Sequence, residues 1–261
     1  MKKDYSIVTE LPNTKIPIEQ LERFYQRYKF AQKFTYNKRV LEIACGGGQG
    51  LNLLAHDAVS VRGIDIEKKN LNIAKAAYKN HSKISIEYHD ANQLHFTERS
   101  FDLIILFEAI YYLHDAPNVI RKCKDILSDN GIIIIESVNK EWKDFNPSPY
   151  AHLYYSTREI YDMLKSVKFK KVDMFCSYKT GNKTGVKARS ISYLKRLSVK
   201  LNLMPKSMKY KTFLKRIFFG KMTLLPPILN DNICNYTEPE QVDPENYDTQ
   251  FKVIYAVGYK S

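Results

Sequence analysis

The chain predicts an α/β fold in which a largely parallel sheet is covered by helices on both faces. Three observations carry this expectation: near-continuous apolar segments recur, helical segments separate them, and a glycine-rich turn joins the first such pair. Residues 17–34 (PIEQLERFYQRYKFAQKF) set Ile18, Leu21, Tyr25 and Tyr28 at helical spacing, so an amphipathic helix opens the fold. RVLEIA (39–44) is a buried strand, followed by glycines and a helix over 52–56. VRGIDI (61–66) precedes the helical KKNLNIAKAAYKN (68–80), and ISIEYHD (84–90) runs into a loop. FDLIILF (101–107) precedes a helix over about 117–127, and the turn SDNG leads into IIIIESV (132–138). TREIYDMLKSV (157–167) is a helix capped by Ser156 or Thr157. KVDMFCSY (171–178) and FKVIYAVGY (251–259) complete the strands.

At 261 residues and 44% apolar, the chain can bury a full core with a substantial insertion. Cys45, Cys123, Cys176 and Cys234 lie far apart with no CxxC pair. That pattern fits neither a disulfide framework nor a zinc site, so no metal is expected. The first residues lack the apolar stretch of a secretory signal, and the apolar run 103–113 is broken by Glu108 and too short for a bilayer. A cytoplasmic protein is expected. The net charge of +13 is concentrated: between Asp173 and Asp231 there is no acid, while thirteen Lys and Arg fall from Lys179 to Lys221. Outside that stretch 28 basic residues balance 28 acidic ones.

The sharpest motif is VLEIACGGGQG, Val40 to Gly50. Glycines after a strand let backbone N–H groups approach a ligand closely, and the following helix N-terminus favours anionic groups. Asp65 stands at the tip of the next strand, where an acid suits bidentate bonding to ribose hydroxyls. A ligand-free strand–turn–helix is the bland alternative, and the combined spacing weighs against it.

At these residues the chain resembles the class I S-adenosylmethionine (SAM)-dependent methyltransferases. Glu42 takes the place of the acid in their first motif, Gly46 and Gly48 match its second and third glycines, and Ala44 replaces the first. The resemblance implies that Glu42, Ala44, Cys45, Gly46 and Gly48 hold the amino-acid end of SAM, and that Asp65 and Ile66 meet its ribose. It places Asp90 and Ala91 at the adenine, with Phe107, Tyr25 and Tyr28 completing the cofactor site. S-adenosylhomocysteine would be the product. It further implies a Rossmann-like sheet of seven strands, the last antiparallel between the fifth and sixth. On that topology residues 1–178 and 251–261 form the SAM-binding core. Residues 179–250 form a basic, helical cap insertion between strands six and seven, rising from the active-site edge.

Methyl transfer from a sulfonium is a direct displacement, helped by positioning and, for a neutral hydroxyl, by a base. Glu108 and His114, at and beyond the end of the fourth core strand, are the catalytic candidates. Tyr111, Tyr112, Tyr150, His152, Tyr154, Lys195 and Arg196 are the expected substrate contacts. Against these stand ordinary roles: His114 as a surface residue, and the apolar stripe from Ile191 to Met204 as a packing face with solvated lysines. The longer pattern, from TELPNTKIPIEQ through NKEWKDFNPSPY to VIYAVGYK, resembles methyltransferases of bacterial surface-polysaccharide (capsule or lipopolysaccharide) clusters. It implies O-methylation of a phosphate-bearing small acceptor, such as a nucleotide-linked sugar or a phosphoramidate-type precursor. Three rivals stay open: an RNA methyltransferase, a non-catalytic or membrane-associated SAM-binding subunit, and a lipid or quinone methyltransferase at the membrane surface. No RNA-binding module is recognisable, whereas a lipid or quinone acceptor predicts an apolar mouth. The sequence predicts no nucleic-acid partner and leaves the oligomeric state open.

Overall fold

The computed structural model describes residues 9–179, 221–245 and 249–261. Strand β1 (Lys15–Pro17) leads directly into helix α1 (Ile18–Gln32). Then β2 (Arg39–Ile43), α2 (Leu51–Ala55), β3 (Ser60–Asp65), α3 (Lys68–Ala77) and β4 (Ile84–Tyr88) alternate. β5 (Phe101–Phe107), α4 (Ala116–Ile126), β6 (Leu127–Val138), α5 (Thr157–Ser166) and β7 (Lys171–Lys179) continue the pattern. β8 (Met222–Leu224), β9 (Glu240–Val242) and β10 (Phe251–Tyr259) follow.

The main sheet runs β4-β3-β2-β5-β6-β10-β7-β9. β2, β3, β4, β5 and β6 are parallel to their neighbours among themselves, while β10 is antiparallel to both β6 and β7. The sheet therefore has eight strands, not the seven expected. The addition is β9, whose three residues pair with Met174–Cys176 at the edge. Glu-Gln-Val carries no apolar alternation, so a strand held by backbone bonds alone left no periodic trace in the sequence. β1 and β8 form a separate two-stranded ladder, with Ile16 opposite Thr223.

Residues alternate between two core layers along each central strand. On β5, Ile104 and Leu106 join the layer under α4 and α5, while Leu103, Ile105 and Phe107 join the layer under α1 and α2. Burial on both faces is why the run is continuously apolar. Each Leu or Ile so enclosed stabilises the fold by roughly 1.5–3 kcal/mol. The expected SDNG turn lies inside β6, where the register jumps from Phe101–Leu127 to Leu103–Ile132. The extra residues bulge outward before the ladder resumes.

Helix starts follow their caps. Asp115 accepts from Asn118 N–H at 3.1 Å with Pro117 in the first turn of α4. Ser156 and Glu159 form a reciprocal capping box on α5. Residues 225–237 pack on the α1 layer: Leu225 and Leu229 are fully buried, and Gln26 donates to the Thr237 carbonyl. Lys195, Arg196 and the stripe from Ile191 to Met204 lie outside the described residues. Among the described residues, no helix is long and apolar enough to cross a membrane.

Candidate active site

Five parallel strands end on one edge of the sheet, and the strand ends and loops at that edge carry many of the predicted residues. After β2 the chain turns through Ala44, Gly46 and Gly48, all with positive φ (59°, 56° and 75°). Glycine takes this conformation freely, whereas alanine bears a steric cost of about 1 kcal/mol. Ala44 is nonetheless the one exposed residue between Leu41 and Gly50. The turn is walled elsewhere. Gln49 donates to the Glu10 carbonyl at 2.7 Å and accepts at its own carbonyl from Leu229 N–H at 2.7 Å. A side chain at Gly50 would collide with Tyr28, whose Cζ lies 2.0 Å from where a Cβ would sit.

Glu42 is 1% exposed, and its Oε1 accepts from the Tyr28 hydroxyl at 2.6 Å. Its Oε2 is buried with no hydrogen-bond partner. Burial pushes the Glu42 carboxyl up to about 7, with Tyr28 and Arg27 pulling the other way. Asp65 accepts from Gly46 N–H at 2.9 Å and from Glu67 N–H at 2.7 Å, so it ties the tip of β3 to the turn after β2. Burial raises its carboxyl too, and the backbone amides of Glu67, Gly46 and Ile66 hold the rise down; three donors leave at least one of its four lone pairs open. Ile66 is half-buried beside it. Asp90 caps the short 3-10 turn Ala91–Gln93 through Asn92 N–H at 2.9 Å, and both Asp90 and Ala91 are half-buried.

Tyr25 and Tyr28 are core side chains. Tyr28 stands edge-on to Phe107 at 5.3 Å, and the Tyr25 hydroxyl accepts from Asn232 N–H at 3.0 Å. Helix α1 thus meets the turn from the core side, and Tyr28 braces Glu42. Cys45 is buried, and burial holds its thiol well above its ordinary value, so it is no nucleophile.

A second group of candidate side chains lies beyond β5. Glu108 has a left-handed backbone (φ 47°), and its N–H donates to the Glu136 carbonyl at 2.9 Å. Its carboxylate accepts from Arg23 Nη2 at 3.2 Å and from the Tyr111 hydroxyl at 2.6 Å. Tyr111 stacks on Tyr154 at 4.5 Å and stands edge-on to Tyr112 at 4.5 Å; Phe145 meets Tyr154 at 4.7 Å. Burial, then the Glu108 charge, push the Tyr111 hydroxyl well above its ordinary value, so Tyr111 is the donor in that pair. His114 and His152 are exposed, with ring centroids 4.3 Å apart, and His152 N–H donates to the Tyr111 carbonyl. Tyr150 is half-buried in the same loop. The structure thus gathers Glu108, Tyr111, Tyr112 and Tyr154 into one wall and sets the histidine pair outside it.

Sequence reasoning missed the charges under this wall. Arg27 lies 3.1 Å from Glu10 and 3.7 Å from Glu136. Burial alone would weaken its hold on its proton, and Glu10 and Glu136 more than offset that. Glu136 is itself pushed upward by burial and by Glu108, against the pull of the two arginines. The available signals were an acid inside the apolar run IIIIESV and two arginines four apart on the first helix.

With this geometry in hand, comparison with known proteins is informative. Residues 41–135 match the family model described as a methyltransferase domain. The curated relatives include the ubiquinone biosynthesis O-methyltransferase of Pelagibacter ubique (strain HTCC1062), 33% identical over 46% of this chain and 50% of that protein. The enzyme of the same name from Pasteurella multocida (strain Pm70) is 31% identical over 49% of this chain and 57% of that protein. The chain spans about half the length of the curated relatives it matches. Among solved structures, the [4+2]-cyclase SpnF superposes with a TM-score of 0.58 at 15% identity, over 92% of this chain and 81% of that one. A Haemonchus contortus phosphoethanolamine N-methyltransferase bound to S-adenosylhomocysteine superposes at 0.56 and 14% identity, over 90% of this chain and 52% of that one. A cyclase on this scaffold shows that the fold alone does not fix the reaction. The chain has the fold of SAM-dependent methyltransferases and carries a methyltransferase domain in its first half.

Proposed function

We propose that the chain is a SAM-dependent O-methyltransferase whose acceptor is an aromatic hydroxyl, a phenol or quinol. The observation that carries the acceptor class is the tyrosine wall beside Glu108: ring faces suit an aromatic acceptor, and the carboxylate suits its hydroxyl. The names of the curated relatives support this reading over the surface-polysaccharide precursor. That expectation came from the resemblance of the longer pattern, and its phosphate-bearing acceptor from the basic segment, whose Lys195 and Arg196 lie outside the described residues.

The turn fits the donor. Its one exposed residue is Ala44, and Glu42 keeps a buried oxygen without a partner. Asp65 retains a lone pair for a ribose hydroxyl, with Ile66, Asp90 and Ala91 lying further along the same edge. SAM supplies an electrophilic methyl group. Cys45, Gly46 and Gly48 provide the backbone approach, while Glu108 receives the proton of the acceptor hydroxyl. Tyr111, Tyr112 and Tyr154 orient the ring.

Calorimetry with SAM and S-adenosylhomocysteine, followed by a SAM-consumption panel of catechols, hydroquinones and nucleotide sugars, tests the proposal. Binding of both and turnover in the catechol or hydroquinone arms is expected. Absence of binding would remove the methyltransferase reading, and turnover confined to nucleotide sugars would remove the aromatic acceptor.

A further inference from the structure

Helix α1 presents Arg23 and Arg27, four residues apart, to the ends of two adjacent strands. Arg23 meets Glu108 just past β5, and Arg27 lies beside Glu136 on β6. Four residues advance a helix by about 6 Å, and neighbouring strands are about 4.8 Å apart, so the two spacings match. Arg27 and Glu136 are buried, whereas the side chains of Arg23 and Glu108 are 28% and 20% exposed. Within this cluster the Arg23–Glu108 pair is the part that reaches solvent.

The Glu108 carboxylate is gripped from two walls. Arg23 Nη2 from α1 holds Oε1, and the Tyr111 hydroxyl from the turn after β5 holds Oε2. The backbone beneath it is left-handed and pinned to β6 through the Glu136 carbonyl. A strained non-glycine backbone persists where its surroundings over-determine it. Each carboxylate oxygen retains one lone pair after these two bonds, and the guanidinium fixes the direction in which those lone pairs point. Without Arg23 the carboxylate would lose one of its two grips while still lying next to the buried Glu136.

We propose that Arg23 is a positioning residue for proton removal, holding the Glu108 carboxylate toward the acceptor hydroxyl. This rests on the reading of Glu108 as the proton acceptor. In the transfer the acceptor oxygen gains the methyl carbon as the carbon–sulfur bond breaks. The electron pair stays on sulfur, and the hydroxyl proton passes to Glu108 and then to water.

The test uses the full chain with catechol as acceptor and the variants Arg23→Met, Arg23→Lys and Glu108→Gln. Misplacing a reacting group by an ångström lowers rates by up to about 100-fold. Arg23→Met is therefore expected to lower kcat about 10- to 100-fold, with S-adenosylhomocysteine affinity within about twofold of wild type. Arg23→Lys, which keeps the charge but not the fork, should recover part of the loss. Wild-type kcat in Arg23→Met, or a matching loss of product affinity and thermal stability, would overturn the proposal. Wild-type turnover in Glu108→Gln would instead sink the role given to Glu108. A crystal structure of Arg23→Met needs no acceptor: an unmoved Glu108 carboxylate would overturn the positioning role even if catechol is not a substrate.

Discussion

Replacing Glu42 by glutamine separates the shape of the buried acid from its charge. Glutamine keeps an oxygen for the Tyr28 hydroxyl, 2.6 Å away in the wild type, and removes only the ability to ionise. Burial raises the carboxyl from its ordinary 4.5 to about 7, so the folded state favours the protonated form. Between these values the native protein holds a proton that the unfolded chain has already lost. Wild-type stability therefore falls as pH rises through this window and levels off above it. At about 1.4 kcal/mol per tenfold change in proton affinity, the accumulated loss is about 3 kcal/mol. Glu42→Gln carries no such term, so its stability relative to wild type should grow by about that amount between pH 4 and pH 8. Urea denaturation of both proteins at half-unit pH intervals measures the difference, in which all shared titrations cancel. A difference that stays constant within about 0.5 kcal/mol across the range would refute the claim that burial strains this carboxylate.

Gly50→Ala places a Cβ 2.0 Å from the Tyr28 ring, which the Glu42 bond and Phe107 hold in place. A loss of about 1–3 kcal/mol or more is expected in urea denaturation, and wild-type stability would mean that the ring yields freely. Asp65→Ala removes the acceptor for Gly46 N–H and Glu67 N–H and the proposed ribose contact. S-adenosylhomocysteine affinity should drop by about 1–3 kcal/mol in calorimetry, and an unchanged value would free Asp65 from that role. Ser156→Ala breaks the capping box of α5 and should lower stability by about 1 kcal/mol, read as a fall in melting temperature. No change would show that Glu159, which Lys140 also pairs with, holds that helix start alone.

Much of the fold was legible because its signals are local. The glycine turn after RVLEI, the acid at the tip of β3, the cap of α5 and the apolar runs of β5 and β10 fall where the sequence places them. β1, β8 and β9 escaped notice because three-residue strands have no period to detect, and each exists through pairing with a distant partner. Beyond β5 the sequence singled out Glu108, Tyr111, Tyr112 and Tyr154 as candidates, and the structure brings them into one cluster.

The sequence by itself determined the order of the longer strands and helices, the glycine-rich turn at 42–50 and the acid at Asp65, since periodicity and backbone chemistry are written in neighbouring residues. Only the tertiary structure decided what braces that turn and what grips Glu108. Tyr28 reaches Glu42 across 14 positions, and Arg23 reaches Glu108 across 85. Such pairs form because α1 packs over the ends of β2, β5 and β6, and the buried acids there need partners that only a helix from elsewhere in the chain can supply.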